Sequence, residues 1–317
     1  MRPDTVEIDH DRAPDRPLDL RLRSWPATLK RTASEFGDDH LVQWAAALTF
    51  FTVLSIFPAM LALVSVLALV GSSALQPLIE NVASLAPGTA RAVALDALTS
   101  IERNRSQAGP TLTLGVVVAL WIASAYVGAF IPASNVIWDV DEARPLLKKL
   151  VVRLALTVVL LLLIGLTAIG VVLTGPIARE VGDIVGLGGQ AVTAWSYLKW
   201  PFLAAVVTVL LAILYWAAPN VRHPGWRWLT PGSVLAVALW ILASIGFTLY
   251  VNHFGALNAT YGSIGGVLVF LVWLWLTNIA ILLGAELDAE IERTWAIEAG
   301  LRPPDKTPFL PTRDGKP

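Results

Sequence analysis

Six long apolar runs, each free of charge or nearly so, set the pattern of this chain. They fall at about residues 42–70, 111–135, 153–175, 200–218, 229–251 and 264–286. Each has roughly the ~20 residues that a helix needs to cross a hydrocarbon layer of about 30 Å. The last two are the most emphatic, because residues 228–285, 58 in a row, contain no Lys, Arg, Asp or Glu. Lipid offers no hydrogen-bond partners, so spans must be helices or a closed barrel, and these runs far exceed alternating strands of about ten residues. The pattern predicts an all-α fold: a polytopic integral membrane helical bundle with six transmembrane helices, plus amphipathic interfacial helices.

The polar stretches fill in the rest. Residues 1–24 mix Asp, Arg and Pro with few large apolar side chains and no run of signal-peptide length, which predicts a disordered cytoplasmic tail. From Trp25 to His40, Trp25, Leu29 and Phe36 recur near helical spacing among Lys30, Arg31, Glu35 and Asp38, as in a short interfacial helix. A continuous helix over Leu41–Val70 would be ~45 Å long, so it must tilt, bend or emerge. Pro58 is the natural bend, with Thr52 and Ser55 available to satisfy freed backbone groups, and it serves either packing or a hinge. Residues 71–110 repeat apolar side chains at helical spacing around Pro87-Gly88, which predicts two amphipathic helices on the outer surface. The third run is the most uniformly aliphatic and is expected to face lipid. Past Glu286 a polar helix continues to Gly300, and residues 300–317, rich in Pro and charge, read as a second disordered cytoplasmic tail. Residues 25–299 therefore make a single six-span membrane domain.

Charge adds orientation. Of the 23 Lys and Arg, eighteen fall on the side that holds both ends of the chain and five on the other, so the positive-inside rule places both termini in the cytoplasm. The totals, 56% hydrophobic and 15% charged with a mean hydropathy of +0.65, agree with a membrane class. There is no Cys, and His occurs only at 10, 40, 223 and 253, which points away from thiolate chemistry and from an all-protein metal cage. No HxHxD-type cluster and no basic patch with interleaved aromatics is present, so the sequence predicts no catalytic residues, no metal, no cofactor and no nucleic-acid partner.

Candidate chemistry lies where polar residues interrupt apolar spans. Asn258, Tyr261, Gly262, Ser263, Gly265 and Gly266 fall between the last two runs, where they either line a cavity dipping into the membrane or make a tight turn. Gly262 and Gly266 also have the GxxxG spacing of close helix approach. Glu286, with Glu290 and Arg293 beyond it, either carries a functional carboxylate or marks a helix leaving the membrane. The segment Asp139 to Lys149 alternates acids and bases, as a cation site or as solvated ion pairs, and Arg144 and Arg153 at this boundary suit an anionic lipid head group. Ser55, Pro58 and Asn135 complete the expected cavity or substrate path. Trp25, Trp138, Trp195, Trp200, Trp226 and Trp228, near span ends, read as interfacial anchors.

Four segments carry a family likeness: Ala45 to Leu63 (AAALTFFTVLSIFPAMLAL), Ala133 to Lys149 (ASNVIWDVDEARPLLKK), Leu214 to Gly232 (LYWAAPNVRHPGWRWLTPG) and Tyr250 to Arg293. In order and spacing the chain resembles the YihY/BrkB family of six-span bacterial inner-membrane proteins, which have also carried the older label ribonuclease BN. Thr49-Phe50-Phe51 departs from the Tyr-rich pair expected there. The resemblance implies an inner-membrane location and a part in envelope integrity or lipid handling. The expectation is therefore a protein that transports or accommodates a lipid or amphiphile. The alternative is a non-transporting scaffold acting through a second copy or an envelope protein partner.

Overall fold

The computed structural model describes residues 24–70, 117–172, 189–223, 229–253, 257–298 and 310–314. The predicted tail over 1–23, the two amphipathic helices over 71–110, and Trp226 and Trp228 lie outside the described residues. Among the described residues seven helices are named in order: α1 (Trp25–Asp38), α2 (Leu41–Val70), α3 (Ala125–Ile137), α4 (Leu146–Val172), α5 (Gly189–Ala217), α6 (Pro231–His253) and α7 (Leu257–Glu298). Among the described residues five stretches are long and apolar enough to cross a membrane: Val117–Ile137, Leu146–Thr167, Tyr197–Ala217, Pro231–Tyr250 and Gly266–Glu298. A sixth is reached if α1 and α2, bent by 65° at their junction, count as one. The all-α membrane architecture stands.

The chain divides into two compact units. The first comprises residues 1–52, 127–153 and 208–317, and the second residues 53–126 and 154–207. In the second unit the Ser55 hydroxyl donates to the Ile122 carbonyl at 3.3 Å, and Trp195 packs near Phe202 with ring centroids 6.0 Å apart. On α4, Val158, Leu162 and Leu166 are exposed while Leu156 and Leu160 are buried, as for a helix with one face on protein and the rest on lipid. α2 continues through Pro58 as one helix. The Thr52 hydroxyl donates back to the Leu48 carbonyl at 2.8 Å.

The first unit holds the polar part of the molecule. α6 packs along α7, and α1 lies against the far end of α7. Its apolar core includes Leu41, Leu48, Phe130, Ile131, Leu214, Leu282 and Ile291, all buried. Within this core Asn278 of α7 donates to the Thr49 hydroxyl at 3.2 Å, and Phe130 stacks on Tyr215 at 6.3 Å. α1 docks through Trp25 on Leu287, Ile291, Trp295 and Ala296. The chain then turns at His40, whose φ of 54° is the left-handed conformation that separates the two bent helices.

Two expectations are corrected here. α7 begins at Leu257, so Asn258 to Gly266 are helical and not an irregular connection between spans. As one helix of 42 residues, α7 is ~63 Å long, about twice the hydrocarbon thickness, so it cannot lie wholly within the lipid core. Residues 310–314, expected to be disordered, instead dock on the α5–α6 connection. Val221 and Thr312 form an antiparallel bridge, the Arg222 amide donates to the Pro311 carbonyl at 2.8 Å, and the Arg313 amide donates to the Asn220 carbonyl at 3.0 Å. Backbone pairing to a segment far away in sequence leaves no local compositional trace.

Candidate functional site

The polar end of α7 carries Glu286, Asp288, Glu290 and Arg293 in a little over two turns. None of them leaves the protein for water: Glu286 and Glu290 are 1% exposed and Asp288 8%. The reason is α1, which covers this end and supplies partners. Arg31 on α1 donates to Glu290 at 2.7 Å, and the Thr28 and Thr294 hydroxyls share a hydrogen bond of 2.8 Å. Ser24 closes the same seam on Glu298. Arg293 is the hub. It pairs with Glu290 at 3.2 Å, with Glu35 of α1 at 3.7 Å, and with Asp139 just after α3. Glu286 makes no ion pair among the described residues, and its Oε2 is buried with no hydrogen-bond partner among them. The charges bearing on it are Asp39, Glu290 and Glu35, opposed by Arg293.

Asp288 points to another element. Its Oδ1 accepts the Gly232 amide of α6 at 2.7 Å, taking up a donor that the start of a helix otherwise leaves unpaired. Thr230 and Ser233 complete this cap, each accepting the other's amide at 3.1 Å. The close approach is made by glycine, with Gly232 and Gly284 at the crossing of α6 and α7, where the Tyr215 hydroxyl also donates to the Ile281 carbonyl at 2.6 Å. A cleft of about 30 Å³ lies beside the cap, lined by Trp138, Tyr215, Trp216, His223, Asp288 and Glu292 among others. That is room for about one water. His223 Nδ1 faces Glu292 at 3.4 Å, and its Nε2 is buried without a partner among the described residues.

A second network ties the α3–α4 loop to the α5–α6 connection. The Arg144 guanidinium makes two hydrogen bonds of 2.7 Å to Glu142 and a third of 2.9 Å to the Ala218 carbonyl. Asn135 donates to Glu142 at 3.1 Å and accepts the Asn220 amide at 2.9 Å. Asn220 in turn donates to the Asp314 carbonyl at 2.7 Å. Burial acts against the charge on Glu142, but the hydrogen bonds and charge of Arg144, with the Asn135 amide, outweigh it and hold the carboxyl below its usual value. Arg313 seals the outside, stacking 4.5 Å from the Trp216 ring and donating to the Val221 carbonyl at 2.7 Å.

The expected site residues are thus dispersed. Asn135 and Arg144 come together through Glu142, and the Arg144 side chain is only 1% exposed and turned to protein groups. Arg153 lies against Gly128 of α3, its Cζ 3.0 Å from where a glycine Cβ would stand. Ser55 and Pro58 belong to the second unit. Asn258, Tyr261, Gly262, Ser263 and Gly265 lie on the first turns of α7, and their surroundings fall outside the described residues. Around Gly266 a Cβ would meet nothing within 4 Å among the described residues. Trp138, expected at an interface, is buried with its ring edge-on to His223 at 4.7 Å, whereas Trp200 is exposed. Sequence reasoning passed over Gly232, Gly284, Asp288, Tyr215 and Asn220. Only the Thr230-Pro231-Gly232-Ser233 helix start carried a local signal for any of them.

Comparison with known proteins agrees with this architecture. A ribonuclease-like protein of Bacillus subtilis, YfkH, is 29% identical over 265 residues, which cover 84% of this chain and 93% of that one. UPF0761 membrane proteins of Alcanivorax borkumensis and Aromatoleum aromaticum are 31% and 32% identical, over 86% and 78% of this chain. The matches span 62% and 60% of those two longer relatives. No solved structure matches the chain. The profile of the family described as Virulence factor BrkB matches residues 32–307, and the chain belongs to that family of membrane proteins.

Proposed function

We propose that this protein transports or accommodates a lipid or amphiphilic molecule in the bacterial inner membrane, as part of envelope maintenance, with both termini and the polar end of α7 on the cytoplasmic side. In this reading it is not an enzyme, and its partners are membrane lipids. The observation that carries the proposal is the placement of Glu286 and Glu290. Both lie in a helix that qualifies as a span, and both turn into the protein instead of leaving it. Ionisable groups are costly in a membrane helix and, where retained, face an interior that does work.

A scaffold that supports the envelope through a second copy or a protein partner is favoured by a different observation. The networks around Arg144 and Arg293 lock α1, α7, the α3–α4 loop and the α5–α6 connection together, and the cleft beside Asp288 admits no lipid. Liposomes of bacterial lipids separate the readings. Transport predicts lipid movement by the full chain, weakened in Glu286→Gln and Gly262→Leu variants, whereas a scaffold predicts still lipids and a partner captured by crosslinking in native membranes.

A further inference from the structure

The cluster that α1 and α7 form holds more acids than bases. Glu35, Asp39, Asp139, Glu286 and Glu290 gather there, faced by Arg31 and Arg293. Glu290 engages both guanidinium groups, while Glu35 and Asp139 share Arg293. That leaves two carboxyl groups with no ion pair among the described residues: Asp39, half-buried at the bend between α1 and α2, and Glu286, 1% exposed. With the side chain 1% exposed and Oε2 unpartnered among the described residues, an anionic Glu286 has no ion pair to hold its charge. Among the described residues no three His, Asp or Glu side chains converge closely enough to hold a metal ion, so the ligand that fits this vacancy of charge is a proton.

We propose that Glu286 is a proton-binding site. A proton taken from water forms the O–H bond of Glu286, and the negative charge of Asp39, among those bearing on Glu286, favours that uptake. Each proton taken up lowers the negative charge of the cluster by one, and no other bond changes. Glu35 and Arg31 from α1, Asp139 from the α3–α4 loop, and Glu290 and Arg293 from α7 are the charged groups that set the ease of that step. In the transport reading, on which its purpose rests, this proton is the coupling ion.

Infrared difference spectra of the full-length protein in lipid nanodiscs, recorded across pH, read the site directly. The expected result is a protonated-carboxyl C=O band that titrates, disappears in Glu286→Gln and changes frequency in Glu286→Asp. Its titration midpoint should fall in Asp39→Asn, which removes a negative charge that favours uptake. Absence of a titrating band, or a band unchanged in both Glu286 variants, overturns the site, and an unshifted midpoint in Asp39→Asn overturns the part given to Asp39. If Glu286→Gln does not assemble, the frequency change in Glu286→Asp decides. None of these readouts requires lipid to move, so still lipids with an intact band would count against transport alone, and a missing band against the proton site alone.

Discussion

Gly232 and Gly284 meet backbone to backbone where α6 crosses α7: a Cβ on Gly232 would lie 1.9 Å from the Gly284 carbonyl oxygen, and one on Gly284 2.4 Å from that of Gly232. Neither oxygen can swing aside as a flexible side chain would. Gly284→Ala should therefore lower stability by about 1–3 kcal/mol, the range for overpacking a tight core. Gly266→Ala, where a Cβ meets open space, should be neutral or stabilising by up to about 1 kcal/mol through helix propensity. Thermal unfolding of the two variants in detergent checks the contrast, and equal effects would mean that the crossing is not held by glycine.

The ion pairs of Glu290 lead to an asymmetric prediction. Glu290 is 1% exposed while its partner Arg31 is 33% exposed. Removing the buried acid in Glu290→Ala takes a partner from both Arg31 and Arg293 and should cost about 2–3 kcal/mol, below the ~3–5 kcal/mol of a fully buried pair, because Arg293 keeps Glu35 and Asp139. Arg31→Ala leaves Arg293 still paired with Glu290 and should cost about 1 kcal/mol. Unfolding midpoints of the two variants give the order.

Docking of residues 310–314 makes a prediction that does not need function. Ending the chain before Leu310 removes the Pro311 carbonyl from the Arg222 amide and Arg313 from the Trp216 ring. Hydrogen exchange at the Arg222 amide should then accelerate, while amides inside α6 and α7 keep their protection. Unchanged exchange at Arg222 would show that the segment does not hold this place in solution.

Glu142 sets a pH dependence. Its folded carboxyl is held below the ordinary value of 4.5, so on acidification the unfolded chain takes up the proton first. The stability contributed by Glu142 is whole above about pH 4.5 and drains away as pH falls through the lower folded value. Glu142→Gln should flatten the acid limb of the stability curve, read from unfolding between neutral and acid pH, and leave its slope above pH 6 unchanged.

These predictions lean on features of different legibility. Span positions follow from runs of apolar residues, a signal that is local and long, and the helix start at Thr230 to Ser233 is written in four residues. Glu286 stood out for its charge after a long uncharged run, yet its burial could not be read, because α1 covers it from about 250 positions upstream. The glycines that make the α6–α7 contact, Gly232 and Gly284, lie on different helices and share no motif, so no spacing pointed to them. Pairing of 310–314 with Val221 was hidden by a composition that reads as disorder. Helix continuity across Asn258 to Gly266 overrode four glycine or asparagine positions of poor helix propensity.

The most direct test of the account is lipid movement by the full-length chain in liposomes of bacterial lipids, with a fluorescent phospholipid in both leaflets and an impermeant quencher outside. The account predicts that the inner-leaflet probe becomes accessible, at a rate that changes with pH in the parent protein and loses that dependence in Glu286→Gln. An inner-leaflet probe that stays protected with the parent protein at every pH, for every bacterial head group tried, would contradict it.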